Sequence, residues 1–364
     1  MATINPTRRL QELGQSLWID NITRRMMRDG TLQRYIDEFS VTGLTSNPTI
    51  FDQAIRNSAD YDDDIARLAG RGLAGEELFF DLATQDLSQA ADLFAPVFER
   101  TDRVDGWVSL EVSPLLLRNS EGTLAVAETL ARRCGRPNLL IKIPGAPEGL
   151  RAIEEAIFAG IPVNVTLLFS AAQYIAAADA YLRGVERRIA AGLNPAVGSV
   201  ASVFVSRWDV AAKGKVPAEL TNRLGLAVAR QTYRAYRALL ESERLQRAMN
   251  AGARPQRLLF ASTGTKDPQA DDTLYVKGLA APFTVNTLPD ATLNAFADHG
   301  DVGATLAADG GDCEAVLAEF ARAGIDVNAL AVRLQDEGGA AFVKSWRDLL
   351  ACMEEKSAAM RKTG

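Results

Sequence analysis

Short apolar runs separated by longer segments of helical period set the hydrophobic pattern of this chain. The strand-like runs are "SLWIDN" (Ser16 to Asn21), "VTGLT" (Val41 to Thr45), "WVSLEV" (Trp107 to Val112), "LLIKI" (Leu139 to Ile143), "PVNVTL" (Pro162 to Leu167), "VASVFV" (Val200 to Val205), "LLFAS" (Leu258 to Ser262) and "FTVN" (Phe283 to Asn286). Helical patterns lie between them, among them Glu148 to Gly160, Ala171 to Gly192 and Ala218 to Glu243. Alternating strands and helices predict parallel βαβ units, and eight such strands predict a closed (β/α)₈ TIM barrel in the α/β class. A doubly wound open sheet competes with it, but no GxGxxG follows an early strand and no GxxxxGK[ST] occurs.

Two segments exceed a minimal barrel. A helical insertion from about Asp52 to Asp105 separates the second and third strands, and a helical extension follows Leu288. Neither has the Pro/Gly/Ser composition of a linker, so both are expected to pack on the barrel. The expected organisation is one barrel domain over 1–364, its core about 13–300 and its helical tail about 301–364.

Composition narrows the function. A net charge of −6 and a pI near 5.2 disfavour nucleic-acid binding, while leaving room for a local basic pocket that takes a small anion. No signal-peptide pattern opens the chain and no window holds about 18 uninterrupted apolar residues, so a cytoplasmic protein without membrane attachment is expected. Cys134, Cys313 and Cys352 are odd in number and far apart, as reduced structural thiols would be. His299 is the sole histidine, which excludes multi-histidine metal motifs and disfavours a histidine-dependent triad.

The candidate chemistry centres on "NLLIKIPG", where Lys142 interrupts an apolar run. Lysine is scarce here, 8 against 32 arginines, so one kept inside a strand suits a role for an amine of lowered pKa. In a barrel, catalytic side chains gather at the C-terminal strand ends. Asp20, Asn47, Glu111, Lys142, Asn164, Thr166, Ser202, Arg207 and Ser262 all fall at or near such ends. Five of them have an ordinary reading as well: Lys142 as the ion-pair partner of Asp20 or Glu111, Asp20 as a helix cap, Thr166 and Ser202 as barrel polars, Asn47 before Pro48 as a turn. Glu111 resists that treatment, since an unpaired carboxylate in a buried strand is costly.

Together a desolvated lysine and two carboxylates suit class I aldol chemistry. The free amine forms a Schiff base with a ketone, the iminium becomes an electron sink, and a carboxylate removes the proton that lets a carbon–carbon bond break. This route needs no metal and no organic cofactor. Two rivals stay open at this point: a metal-dependent barrel enzyme with Asp20 and Glu111 as ligands and Lys142 as base, and a non-catalytic sugar-phosphate-binding barrel.

The runs "LWIDN", "GLTSNPTIF", "VSLEVSP", "LLIKIPG", "IPVNVTLLFS" and "SVFVSRWD", in this order, resemble the signature blocks of transaldolase, in its longer bacterial form, over about Leu13 to Asn286. The resemblance implies a (β/α)₈ barrel that moves a dihydroxyacetone unit between ketose and aldose phosphates in the non-oxidative pentose phosphate pathway. The exchange would run between sedoheptulose 7-phosphate with glyceraldehyde 3-phosphate and erythrose 4-phosphate with fructose 6-phosphate. It implies Lys142 as the Schiff-base lysine, Asp20 as the acid/base at the C4 hydroxyl, and Glu111 with Thr166 as holders of a catalytic water. It further implies Asn47, Asn164, Ser202 and Phe204 as contacts to the dihydroxyacetone unit and Arg207 as a phosphate ligand. One departure stands out: shorter bacterial members place an arginine soon after the strand-seven serine, whereas "FASTGTKDP" keeps Ser262 and offers Lys266 further along. A simple aldolase releasing free dihydroxyacetone is the nearest alternative activity. The tail is expected to cover the mouth or an oligomer interface, with a monomer and a homo-oligomer both open.

Overall fold

The computed structural model describes residues 5–363; residues 1–4 and 364 of the expected domain lie outside the described residues. Eight parallel strands close into a barrel in chain order, with the last pairing on the first. They are β1 (Ser16–Asp20), β2 (Val41–Thr45), β3 (Trp107–Glu111), β4 (Leu139–Pro144), β5 (Val163–Leu168), β6 (Ser199–Phe204), β7 (Arg257–Ala261) and β8 (Val285–Leu288).

Most boundaries fall within a residue of the sequence expectation, but β8 starts two residues later. Phe283 is the reason: it follows Pro282, adopts a left-handed φ of 63° and stands 63% exposed, so the strand begins after it. The helical pattern Ala218–Glu243 also divides. A 3₁₀ turn (Ala218–Leu220) precedes a helix over Leu224–Leu240, and Asn222 at φ 61° turns the chain between them. Buried Asp209 accepts from the Leu224 and Gly225 amides at 2.9 and 3.2 Å, which satisfies the new helix start.

The period-two alternation of the strands explains a lysine in an apolar run. In β4 Ile141 and Ile143 join the core between sheet and helices, whereas Leu140 and Lys142 point into the barrel. The lower lumen is filled. Trp18, Leu140, Val200, Leu259 and Val285 pack there, and a Cβ on Gly43 would lie 2.6 Å from the Trp18 indole. Trp18 Nε1 donates to Asp105 at 2.8 Å, and Arg257 pairs with the same carboxylate at 3.5 Å. With its lower layers filled, the barrel opens at the C-terminal ends of the strands.

The insertion consists of helices Asp62–Gly70 and Gly75–Arg100 after the β2 loop helix Pro48–Arg56. The tail ends in a helix over Val327–Thr363 that packs on all three and on β5. Trp346 fixes it, donating to Glu76 at 2.7 Å and meeting the Phe79 ring edge-on at 4.8 Å. Among the described residues no helix is long and apolar enough to cross a membrane. The three cysteines are buried and unbridged.

Candidate active site

The upper lumen is a cavity of about 360 Å³. Its lining includes Asp20, Asn47, Lys142, Thr166, Ser202, Phe204, Arg207, Ser262 and Lys266, so strand ends far apart in sequence converge on one space. Glu111 and Asn164 are not part of the lining; they stand behind it and hold residues that are.

Lys142 and Glu111 are register partners on β4 and β3. Lys142 Nζ lies 3.2 Å from Glu111 Oε2 and donates to the Ser46 carbonyl at 2.9 Å. Both side chains are buried. Burial pushes the Glu111 carboxyl above its usual range even though the Lys142 charge opposes the rise. Glu111 Oε1 and Thr166 Oγ1 are both buried without a hydrogen-bond partner among the described residues. Buried polar atoms of this kind ask for a further ligand.

Asp20 sits at the end of β1 and accepts from Thr45 Oγ1 at 2.7 Å; Thr45 is also 2.7 Å from the Thr287 hydroxyl. Burial raises the Asp20 carboxyl, with Thr45 and the Lys142 charge working against the rise. The helix-cap reading does not describe this residue, because Thr23 caps the following helix through the Met26 amide at 3.1 Å. Asn47 is a cap: its Oδ1 accepts from the Ile50 amide at 3.1 Å, which fixes the side chain at the cavity wall. Asn164 donates to Ser109 at 3.1 Å and accepts from Ser202 at 2.7 Å, so a chain of polar contacts runs beneath the lysine from β3 to β6.

β6 and β7 continue to pair beyond their last strand residues. The Ser206 amide donates to the Ser262 carbonyl at 3.0 Å and the two hydroxyls lie 2.9 Å apart. That contact puts Arg207 and Ser262 side by side at one end of the cavity. Ser262 holds φ 56° and Leu167, next to Thr166, holds φ 60°. Non-glycine residues in this region cost free energy and concentrate at functional sites. Arg207 is half-buried, lies over Phe204 at 5.4 Å, and makes no hydrogen bond or ion pair to the described residues. Lys266 is likewise without such a partner and reaches the same cavity, its Nζ 3.8 Å from where a Gly264 Cβ would stand.

Thr45, Ser46 and Phe342 are contributions not singled out from the sequence, although Thr45 and Ser46 lie within the "GLTSNPTIF" run. Thr45 ends a strand and is recoverable by the same rule that found Asp20. Ser46 acts through its backbone, which carries no residue-type signal. Phe342 comes from the tail helix, more than 50 residues beyond the last strand, and lies with its ring centroid 5.9 Å from Lys142 Nζ. Among the described residues no three histidine, cysteine or acidic side chains gather as a metal centre would require.

A closed parallel barrel with a buried lysine, two raised carboxyls and unpaired cations at its mouth is an enzyme's arrangement, suited to transfer of aldehyde or ketone residues. The profile of the Transaldolase/Fructose-6-phosphate aldolase family matches residues 17–353, and the chain belongs to that family. Close full-length similarity accompanies the match. The transaldolase of Thiobacillus denitrificans is 44% identical over 356 residues, covering 96% of this chain and 99% of the relative. That of Thermobifida fusca is 44% identical over 364 residues, covering 98% and 99%, and that of Saccharopolyspora erythraea is 41% identical over 363 residues, with the same coverage.

Proposed function

We propose that the chain is a transaldolase that moves a dihydroxyacetone unit from a ketose phosphate to an aldose phosphate through a Schiff base on Lys142. The amine attacks the C2 carbonyl, and the carbinolamine loses water to give an iminium. Asp20 takes the C4 hydroxyl proton, the C3–C4 bond breaks, and the electron pair is held as an enamine while the aldose phosphate leaves. An acceptor aldehyde then takes the enamine carbon, Asp20 returns the proton, and water frees the product.

Glu111 and Thr166 handle the water. Their unpartnered oxygens favour this role, and the upward-shifted Glu111 carboxyl is suited to protonate the departing hydroxyl of the carbinolamine. Asn47 and Ser202 hold the hydroxyls of the three-carbon unit, Asn164 fixes Ser202 from behind the wall, and Phe204 forms the apolar side of the cavity. Arg207, Ser262 and Lys266 take the phosphate, a task suited to the planar fork of Arg207, which makes no ion pair to a carboxylate among the described residues. We also propose sedoheptulose 7-phosphate and fructose 6-phosphate as donors, and a cytoplasmic site of action in keeping with three buried free thiols.

The single observation that carries this reading is that Lys142 opens with Asp20, Thr166 and Arg207 onto one cavity, where a purely structural ion pair with Glu111 would need no such space. The test is transfer from fructose 6-phosphate to erythrose 4-phosphate by a Lys142→Ala variant whose circular dichroism matches the parent. Loss of transfer is expected, and substantial retained turnover would contradict the assignment.

A further inference from the structure

We infer that Phe342 of the tail helix sets the ratio of transfer to release, by covering the Lys142 adduct and keeping water from its C2 carbon, so that an acceptor aldehyde reaches C3 before the adduct is hydrolysed. The inference rests on the Schiff-base reading above and concerns what happens to the intermediate once it exists.

Gln335, Gly338, Phe342 and Trp346 recur at helical spacing and share the face turned to the barrel. Gln335 Nε2 donates to the Leu167 carbonyl at 2.9 Å and to the Gly145 carbonyl at 3.3 Å, so the helix is tied to the strand ends next to Thr166 and just after Lys142. At Gly338 the helix comes close enough that a Cβ would meet Leu167 Cδ2 at 3.0 Å and Arg207 Nη1 at 3.6 Å. On the far side of Phe342, Trp346 is held by Glu76, and Ser345 Oγ accepts from Thr49 at 2.8 Å. Phe342 is therefore held from both directions, 5% exposed, with its ring over the amine. A ring in this position occupies the space beside the amine through which water would approach C2.

Release and transfer diverge after the C3–C4 bond has broken. In release, the enamine carbon C3 takes the proton that Asp20 removed from the C4 hydroxyl, which regenerates the iminium. Water then adds at C2, the C–N bond breaks, and dihydroxyacetone leaves the free amine. The water lost in forming the Schiff base is regained, so fructose 6-phosphate yields dihydroxyacetone and glyceraldehyde 3-phosphate without any co-reactant. In transfer, C3 instead forms a bond to the acceptor aldehyde carbon.

The experiment supplies fructose 6-phosphate and a fixed concentration of erythrose 4-phosphate, and measures dihydroxyacetone against sedoheptulose 7-phosphate for the parent, Phe342→Ala and Phe342→Leu. This product ratio does not depend on how much of a variant is folded. Phe342→Ala is expected to raise it about tenfold, while Phe342→Leu, which keeps apolar bulk, stays within about threefold of the parent. Where the alanine variant does not fold, Phe342→Met and Phe342→Leu are compared, and the more flexible methionine is expected to give the higher ratio. Borohydride trapping on the same samples separates the two levels of the account. A Lys142 adduct with an unchanged product ratio overturns the role of Phe342 and leaves the Schiff base standing. Absence of the adduct in the parent overturns both.

Discussion

Glu111 Oε2 meets Lys142 Nζ at 3.2 Å across adjacent, in-register positions of β3 and β4. On the Schiff-base reading, Glu111 is close enough to pass a proton to the carbinolamine formed on Lys142. Replacing Glu111 by glutamine is expected to lower kcat by about 10² to 10⁴. The loss should fall on imine formation and hydrolysis. Rapid-quench borohydride trapping checks this, with the rate of adduct appearance falling at least as far as kcat.

Asp20 carries a stability cost at neutral pH. Its carboxyl is raised above the ordinary value by burial. A group so shifted contributes its full share of stability below the unfolded pKa of about 3.9 and loses it as pH rises through the folded value. Asp20→Asn is therefore expected to be inactive yet to melt above the parent at pH 7, with the difference shrinking as pH falls toward 4. Melting curves across that range test it. A variant that melts below the parent at pH 7 would show that the bond from Thr45 outweighs the desolvation.

Arg207 and Lys266 are expected to differ in weight. Arg207 is half-buried beside Ser262 and offers a fork of donors, whereas Lys266 is a point charge on a loop. Arg207→Ala should reduce kcat/KM for fructose 6-phosphate by about 10- to 100-fold, and Lys266→Ala by less, the range that losing one or two charged hydrogen bonds implies. Neither change should affect reaction with an unphosphorylated donor. Steady-state kinetics on matched phosphorylated and free sugars separate a phosphate contact from a general defect.

The barrel was legible because eight apolar runs of strand length alternate with helical periods. Most of its mouth was legible too, because the fold fixes which end of each strand bears chemistry. The start of β8 was not, since Phe283 resembles a strand residue by type and is excluded by a local left-handed turn. The break at Asn222 was hidden in the same way: the periodicity runs on across it, and the capping carboxylate Asp209 comes from a different segment. Phe342 had no sequence signal, because an aromatic on an amphipathic helix looks the same whether it packs on a neighbour or roofs a cavity. Its place depends on tertiary ties through Gln335 and Trp346.

The most direct test of the central claim is mass-spectrometric mapping after borohydride reduction in the presence of fructose 6-phosphate. A Schiff base on Lys142 predicts a dihydroxyacetone-derived adduct on the peptide containing that residue, absent from Lys142→Ala. An adduct on any other lysine, or none in an active preparation, would contradict it.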